Sequence, residues 1–212
     1  RYFVMKKSKR IKKSNSWKIK QHRDQFFKKS KTLGYRSRAS FKLIELNKKF
    51  KFIKKNTNLL DLGSSPGSWT QVASQIIKSG KILSIDIKEM KPVKNIVFLK
   101  ANIINESTKR EVITYFNSNL DVIISDMAAD TTGNKSLDSI RTNQLCYEVI
   151  NFSKDVLKPK GVLVSKLFMG EDFIEVKNLA KSVFKKVNFF KPDSSRKESK
   201  ETYLHCEILK SL

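Results

Sequence analysis

Short apolar runs alternate with longer amphipathic segments over most of the chain, and this alternation restricts the fold more than any other feature. The apolar runs are nearly continuous, which is typical of parallel strands that are buried on both faces. Strand–helix alternation at this spacing predicts an α/β protein with a doubly wound, mostly parallel sheet. The predicted strands cover residues 58–63, 81–86, 95–101, 121–127 and 161–168, and the predicted helices cover 67–78, 106–117, 138–158 and 171–184.

Both ends of the chain depart from this alternation. Residues 185–192 and 201–209 are strand-like segments with no helix between them, so we expect them to pair antiparallel at one side of the sheet. Near the other end, residues 17–33 predict a basic helix that stops at Gly34. Ser37 is suited to cap a second helix.

Positive charge is concentrated at the start of the chain. The formal net charge is +24, from 44 Lys+Arg and 20 Asp+Glu, and residues 1–55 hold 21 of the basic residues and two of the acidic ones. Such a segment favours a polyanion as partner, most often a nucleic acid. A general drift of the composition toward lysine is the alternative, although drift would spread the charge evenly. We expect a basic, RNA-binding arm and helix over 1–33 and a folded domain over 34–212.

The composition also excludes several classes of protein. No apolar run approaches the roughly 18–20 residues that cross a bilayer, so no association within a membrane is expected. Two cysteines, Cys146 and Cys206, are too few for a disulfide scaffold and fit a reducing compartment. We expect both to be core residues. The two histidines, His22 and His205, have no metal-ligand spacing with the cysteines, so no metal site is expected.

The segment DLGSSPGSW, residues 61–69, follows the first predicted strand and opens a helix. Gly63 and Gly67 let the backbone approach a ligand closely, and the start of the helix offers free N–H groups. In an open α/β sheet, a ligand is expected at the carboxyl ends of the strands beside such a turn. The spacing matches neither GxGxxG nor GxxxxGK[ST], so NAD and ATP phosphate sites fit poorly. An ordinary strand-to-helix turn is the alternative.

Polar residues stand at or near the ends of the later strands. Asp86 ends the second strand, where an acid commonly hydrogen-bonds ribose hydroxyls of an adenosine-bearing ligand, or simply caps the next segment. Asn102 follows the third strand and can donate or accept at an adenine edge. Lys166 lies in an apolar strand, which is costly unless its charge is paired or its proton is lost. Adjacent parallel strands would bring it near Asp126, whereas a lysine that points to the surface is the alternative.

With these residues located, the chain resembles the FtsJ (RlmE-type) family of ribosomal RNA 2′-O-ribose methyltransferases. The resemblance extends from about Trp17 to the C-terminus, in family order and spacing. It implies an S-adenosylmethionine-dependent enzyme with a Rossmann-like fold, in which a mostly parallel seven-stranded sheet has an antiparallel last strand. The matching blocks are GYRSRASFKLIEL (34–46), LLDLGSSPGSWTQVA (59–73), ILSIDI (82–87), IISDMA (123–128), VLVSKLF (162–168) and KPDSSRKESKETY (191–203).

The resemblance implies a Lys-Asp-Lys-Glu catalytic tetrad. By motif, the tetrad falls on Lys42, Asp126, Lys166 and Glu201. A ribose 2′-hydroxyl is a poor nucleophile and needs a base within hydrogen-bond reach. Our hypothesis assigns Lys166 as the proton acceptor, oriented by Asp126, while Lys42 and Glu201 complete the ion-pair network and position the ribose.

Cofactor contacts are implied in the same way. They fall on Gly67 and Trp69, on Asp86 and on Asp126, and Gly63 of the glycine turn joins them as a predicted cofactor-binding residue. Two positions depart from the family pattern. Asn102 stands where the family has an adenine-side Asp, and Ala129-Asp130 follows SDMA where members commonly have Pro-Asn.

The exact residues of the motifs also bear on the identity of the substrate. DLGSSPG, SDMA and KPDSSR resemble the bacterial and mitochondrial ribosomal type, whereas the transfer-RNA type carries DLCAAPG. The implied substrate is a uridine 2′-hydroxyl in the A-loop of large-subunit rRNA, and the implied partner is rRNA or the large ribosomal subunit. We expect a monomer in an organelle matrix, such as that of the mitochondrion, or in a bacterial-type cytoplasm. The alternatives are 2′-O-methylation of tRNA and an inactive RNA- or ribosome-binding module with this fold.

Overall fold

The described part of the chain contains one sheet of seven strands, in the order β3-β2-β1-β4-β5-β7-β6. The structure is a computed structural model that describes residues 24–117 and 120–210. Strands β1 to β5 pair in parallel, whereas β7 is antiparallel to both of its neighbours. The strands are β1 Leu59–Leu62, β2 Ile82–Asp86, β3 Val97–Lys100, β4 Leu120–Ser125, β5 Leu157–Phe168, β6 Phe184–Phe190 and β7 Glu201–Leu209.

Helices cover both faces of this sheet, so the central strands β1, β2 and β4 are buried as their apolar composition predicts, whereas the edge strands β3 and β6 are partly exposed. The helices are α1 Gln25–Thr32, α2 Ala39–Phe50, α3 Ser68–Ile76, α4 Glu106–Phe116, α5 Lys135–Val156 and α6 Phe173–Val183. Residues of α2 and α3 belong to one apolar cluster, and residues of α4, α5 and α6 belong to the other. Helix α1 packs on α2 through Phe26 and Phe41, whose ring centroids are 5.5 Å apart. None of the described helices is both long and apolar enough to cross a bilayer.

The predicted α/β class and the mostly parallel sheet are confirmed. The antiparallel pairing of the last two strands is also confirmed, and the structure adds that β7 is inserted between β5 and β6. The described part of the predicted basic helix, Gln25–Thr32, is helical, and Gly34 follows it with a φ of 72°. The arm 1–16 and residues 17–23 lie outside the described residues, so the division of the chain at residue 33 stays a prediction.

Two predicted boundaries were wrong for local physical reasons. Helix α5 begins before residue 138, because the side chain of Asn134 accepts hydrogen bonds from the N–H groups of Ser136 and Leu137. Strand β5 begins at Leu157, four residues before the predicted start, because it follows α5 directly and pairs with Leu120 of β4 across an irregularity in the register.

The predicted cap of the second helix, Ser37, lies one residue before the N-cap position. Arg38 occupies the N-cap position of α2, and its side chain makes no capping hydrogen bond. The hydroxyl of Ser37 still accepts a hydrogen bond from the N–H of Ala39 at 3.2 Å, and it lies 2.7 Å from the hydroxyl of Ser68. Ser37 therefore joins the starts of α2 and α3.

Substitution of one core leucine tests how strongly α2 is held. Leu43 is fully buried in α2, so we expect Leu43→Ala to lower the free energy of unfolding by about 2–5 kcal/mol. Leu33, which is 55% exposed, provides a matched control, because Leu33→Ala is expected to change the free energy of unfolding by less than about 0.5 kcal/mol. Urea denaturation followed by circular dichroism measures both values. Equal effects of the two substitutions would contradict the described packing of α2.

Candidate active site

Four charged side chains meet at the carboxyl edge of the sheet, where β4, β5 and the start of β7 lie side by side. Lys166 Nζ is 2.7 Å from Asp126 Oδ1 and 3.5 Å from Glu201 Oε2. It also donates a hydrogen bond to the backbone carbonyl of Asp126 at 3.0 Å. Lys42 of α2 reaches the same cluster, with Nζ 2.7 Å from Glu201 Oε1. The structure therefore brings together all four residues that the sequence assigned to a tetrad.

The charges of this cluster stabilise one another in a poorly solvated place. Burial alone would lower the pKa of Lys166, but the Coulomb attraction and hydrogen bonds of Asp126 and Glu201 outweigh it, and the pKa is raised. Burial likewise opposes ionisation of Asp126, yet Lys166 and Lys42 hold the pKa of this carboxyl below its usual range. Lys166 and Asp126 are thus both charged at neutral pH, and Lys166 carries its proton.

Two further side chains hold the carboxylates in place. Tyr203 donates its hydroxyl proton to Asp126 Oδ1 at 2.6 Å, and Ser195 donates to Glu201 Oε1 at 2.8 Å. Glu45 fixes the loop that contains Ser195, because its carboxylate accepts a hydrogen bond from the backbone N–H of Asp193 at 2.6 Å. Sequence reasoning missed these residues. Tyr203 was detectable, since it lies two positions after Glu201 on a strand and therefore faces the same side, whereas nothing in the sequence placed Ser195.

A cavity of about 600 Å³ adjoins the charged cluster at the ends of β1, β2, β3 and β4. Gly63, Asp86, Asn102 and Asp126, which are four of the predicted cofactor-binding residues, line it. Gly63 has a φ of 71°, and a Cβ atom at this position would collide with Met127. Glycine at 63 thus permits the close approach between the first turn and the segment after β4.

The polar groups of the cavity are held by the backbone. The carboxylate of Asp86 accepts two hydrogen bonds from backbone N–H groups. Oδ2 accepts one from Ser65 at 2.8 Å, and Oδ1 accepts one from Lys88 at 2.7 Å. Asn102 Oδ1 accepts a hydrogen bond from the N–H group of Ile104 at 3.1 Å, and its amide NH₂ has no hydrogen-bond partner among the described residues. Both side chains are therefore oriented before any ligand binds, which lowers the cost of ordering them.

Gly67 and Trp69 occupy a different place from the other predicted cofactor residues, since neither lines this cavity. Gly67 has a φ of 106°, and a Cβ atom there would meet the guanidinium of Arg36. The Trp69 indole donates to the carbonyl of Ala39 at 2.8 Å, and its ring lies 5.7 Å from that of Tyr203. Trp69 thereby supports α2 and β7, which carry Lys42 and Glu201.

The departure at Ala129-Asp130 lies at the rim of the cavity. Asp130 Oδ1 accepts a hydrogen bond from Lys88 at 2.9 Å, and its backbone carbonyl accepts one from Arg141 at 3.2 Å. The hydrogen bond and positive charge of Lys88 lower the pKa of Asp130. This exposed pair joins the segments after β2 and β4, which are the two sides of the cavity.

Asp61 is a buried acid at the base of the glycine turn, and its side chain is not exposed to the cavity. Thr70 donates its hydroxyl proton to Asp61 Oδ2 at 2.6 Å, and the hydroxyl of Ser84 lies 2.9 Å from that of Thr70. Burial raises the pKa of Asp61 to about 7, although the hydrogen bond from Thr70 opposes this and the charge of Asp126 adds to it. Asp61 therefore titrates near neutral pH.

The two cysteines are buried core residues, as predicted. Burial raises the pKa of the Cys146 thiol to about 12 and that of Cys206 further still. His205 is also fully buried, with its ring stacked on Phe50 at 3.9 Å, and burial lowers its pKa to about 4. These groups are thiol and neutral imidazole at neutral pH, so they are part of the core.

The fold and the cavity define a Rossmann-like methyltransferase architecture. A protein of Streptococcus mutans solved in complex with SAH shares this fold, with 15% identity, a TM-score of 0.51, and coverage of 81% of this chain and 96% of that one. A Plasmodium falciparum protein described as a ribosomal RNA methyltransferase is more similar, with 32% identity and a TM-score of 0.73, over 82% of this chain and 98% of that one.

Comparisons of sequence lead to the family. A family model described as FtsJ-like methyltransferase matches residues 35–208, and the chain belongs to this family. The Ribosomal RNA large subunit methyltransferase E of Pelagibacter ubique is 45% identical over 93% of this chain and 97% of its own length. The protein of the same name from Rickettsia akari is 41% identical over 95% of this chain and 91% of its own length.

The cofactor of this methyltransferase is S-adenosylmethionine, and the residues present fit it. Asp86 presents a carboxylate suited to ribose hydroxyls, and Ile87 and Ile104, each 62% exposed, offer apolar contacts for an adenine ring. In the adjoining turn, the hydroxyl of Ser64 is buried and has no hydrogen-bond partner among the described residues. The sequence did not single out Ile87, Ile104 or Ser64.

The raised pKa of Asp61 predicts how the free energy of unfolding depends on pH. Its pKa is about 7 in the folded state, against about 3.9 in an unfolded chain, so the folded state binds more protons between these values. Its contribution to stability is therefore lost as the pH rises from about 4 to 7. We expect Asp61→Asn to gain up to about 4 kcal/mol of unfolding free energy relative to the parent over this interval, at about 1.4 kcal/mol for each unit between the two pKa values.

Urea denaturation at a series of pH values measures this difference. Glu111→Gln, at an exposed acid in α4, is the control and should show no such slope relative to the parent. A constant difference between Asp61→Asn and the parent from pH 4 to 8 would mean that Asp61 is ionised throughout, against the burial described above.

Proposed function

We propose that this methyltransferase transfers a methyl group to a ribose 2′-hydroxyl, that of a uridine in large-subunit ribosomal RNA. The observation that carries the proposal is the position of Lys166, whose Nζ lies 2.7 Å from a carboxylate, Asp126, that also lines the cofactor cavity. A hydroxyl placed at Lys166 would lie next to the methyl donor. The names of the bacterial relatives support rRNA of the large subunit as the substrate.

The chain's own residues supply a base and a means of positioning. S-adenosylmethionine, when bound, supplies an electrophilic methyl group on a positively charged sulfur. Lys166 accepts the proton of the 2′-hydroxyl as the oxygen attacks, and Asp126 orients Lys166. Lys42 and Glu201 position the ribose. Because the pKa of Lys166 is raised, its ammonium must first release a proton to solvent before it can act as a base.

Exposed lysines near the cluster support RNA as the partner. Lys28, Lys29 and Lys31 of α1 and Lys48 and Lys49 of α2 are exposed on the two helices next to Lys42. Contacts between such side chains and phosphates make binding fall steeply with salt. The basic residues of the arm, which lie outside the described part of the chain, are proposed to extend this surface.

The alternatives differ in what they require of the cluster. An inactive RNA-binding module has no need for four buried charged groups joined in a chain by ion pairs of 3.5 Å or less, so their geometry favours an enzyme. Methylation of tRNA would use the same chemistry, and only the identity of the modified nucleotide separates it from the proposal. A single-chain enzyme in a bacterial-type cytoplasm or an organelle matrix remains our prediction for the native context.

Removal of the proposed base tests the function. We expect Lys166→Ala to lower the rate of methyl transfer from labelled S-adenosylmethionine to unmodified large ribosomal subunits by about 10²–10⁴-fold, while calorimetry shows retained cofactor binding. Mapping of the modified nucleotide should place the labelled methyl group on the 2′-oxygen of a uridine. Full activity of the variant would refute the role of Lys166. Labelling of tRNA supplied in a parallel assay, with no labelling of the subunits by the parent, would refute the substrate.

A pH profile tests whether Lys166 must lose its proton. The parent rate should rise with pH through the alkaline range, because only neutral Lys166 accepts a proton. Glu201→Gln removes one of the carboxylates that raise the pKa of Lys166, so the rise should level off at lower pH. Glu207→Gln, on the same strand and paired with Lys186, is the control and should leave the profile unchanged. Identical profiles for Glu201→Gln and the parent would exclude Lys166 as the titrating group.

A further inference from the structure

A second cavity, of about 440 Å³, lies at the carboxyl edge of the sheet beyond the charged cluster. It is formed where β5 and β6 end and β7 begins, whereas the cofactor cavity lies on the β1–β4 side of the cluster. We propose that this second cavity binds a nucleobase of the substrate RNA, next to the ribose that is methylated. The proposal rests on the proposed function and adds the place where the RNA strand is held.

The walls of the cavity are apolar and aromatic. Met169 is 49% exposed although it is a large apolar residue, and it stands beside Phe173, Phe189 and Phe190. Proteins bind unpaired bases by stacking them on such side chains, because every base has an apolar face. The cavity therefore offers the surface that a base flipped out of an RNA loop requires.

Packing against the core fixes these rings in advance. The centroids of Phe173 and Phe189 are 5.0 Å apart at an interplanar angle of 51°, and both rings pack on the core cluster beneath them. Phe190 packs edge-on against Phe50 of α2 at 6.0 Å. A base would enter a site whose aromatic walls already have their positions, so little conformational entropy is lost on binding.

Cations at the rim suit the phosphates of the same strand. Lys191 Nζ donates to the backbone carbonyl of Ser199 at 2.5 Å, which holds the ammonium at the rim. Lys200 also lines the cavity and makes no ion pair with any described residue. The acid of the cavity, Glu201, is already compensated by Lys42. The charge presented to a ligand is thus positive, which favours a nucleotide over an uncharged apolar ligand.

The position of the cavity connects it to the reaction. Glu201 belongs both to the cavity lining and to the charged cluster, where it lies 3.5 Å from Lys166 Nζ. A strand with its ribose at Lys166 therefore passes directly beside this cavity. The base that enters is either that of the methylated nucleotide or that of an adjacent nucleotide, since both offer the same chemistry.

Two substitutions test the site without touching the tetrad. We expect Met169→Ala and Lys200→Ala together to raise the KM for unmodified large ribosomal subunits by about 5- to 100-fold, with the KM for S-adenosylmethionine unchanged. The matched control combines Val97→Ala, at a residue 47% exposed on β3, with Lys160→Ala, at the opposite end of β5. The control should behave as the parent. Parent-like kinetics of the Met169/Lys200 variant would overturn the site, whereas an inactive parent would overturn the proposed function instead.

Abasic RNA identifies the bound base. Binding of the parent and of the Met169→Ala/Lys200→Ala variant is measured with an A-loop hairpin RNA, intact or abasic at the target or at either neighbour. The variant should bind the intact hairpin more weakly, and the difference should shrink for the hairpin that lacks the bound base, as in a double-mutant cycle. Weaker binding to subunits with no loss for the hairpin would show that the cavity takes a ribosomal protein segment, which would contradict the proposal.

Discussion

Neutralisation of charge in the buried cluster is the constraint on which the rest of the structure depends. Two lysines, Lys42 and Lys166, face two carboxylates, Asp126 and Glu201, at the edge of a sheet whose central strands are mostly apolar. A single unpaired ion at this depth would lose its hydration with no interaction to offset the cost. Each of the four charged groups is therefore stable there only because the others are present. The same balance keeps Lys166 protonated until its surroundings change.

The balance holds only if three parts of the chain that are distant in sequence meet. β7 lies between β5 and β6, and its antiparallel register places Tyr203 opposite Lys166 and Glu201 opposite Phe168. A parallel strand in that position would bring its carboxyl end, and not Glu201 at its start, to this edge. Trp69 then ties α2 to β7, which sets Lys42 against Glu201.

Much of the fold could be predicted because parallel strands buried on both faces leave a strong apolar signal, and the tetrad could be predicted from the family motifs around Lys42 and Lys166. The start of α5 was missed because Asn134 caps it outside the apolar pattern. Tyr203 and Ser195 were missed because hydrogen bonds between distant segments leave no periodic trace. Gly67 and Trp69 matched a family motif, but the motif does not say which groups line the cavity.

The sequence by itself determined the class of fold, the family and the residue types that carry charge at the strand ends, because these depend on local patterns of hydrophobicity and on short motifs. Only the tertiary structure decided the protonation of Lys166, since its pKa depends on burial and on the distances to Asp126 and Glu201. The tertiary structure alone also formed the two cavities on either side of the cluster. Both are properties of side chains that meet across strands, which no single stretch of sequence contains.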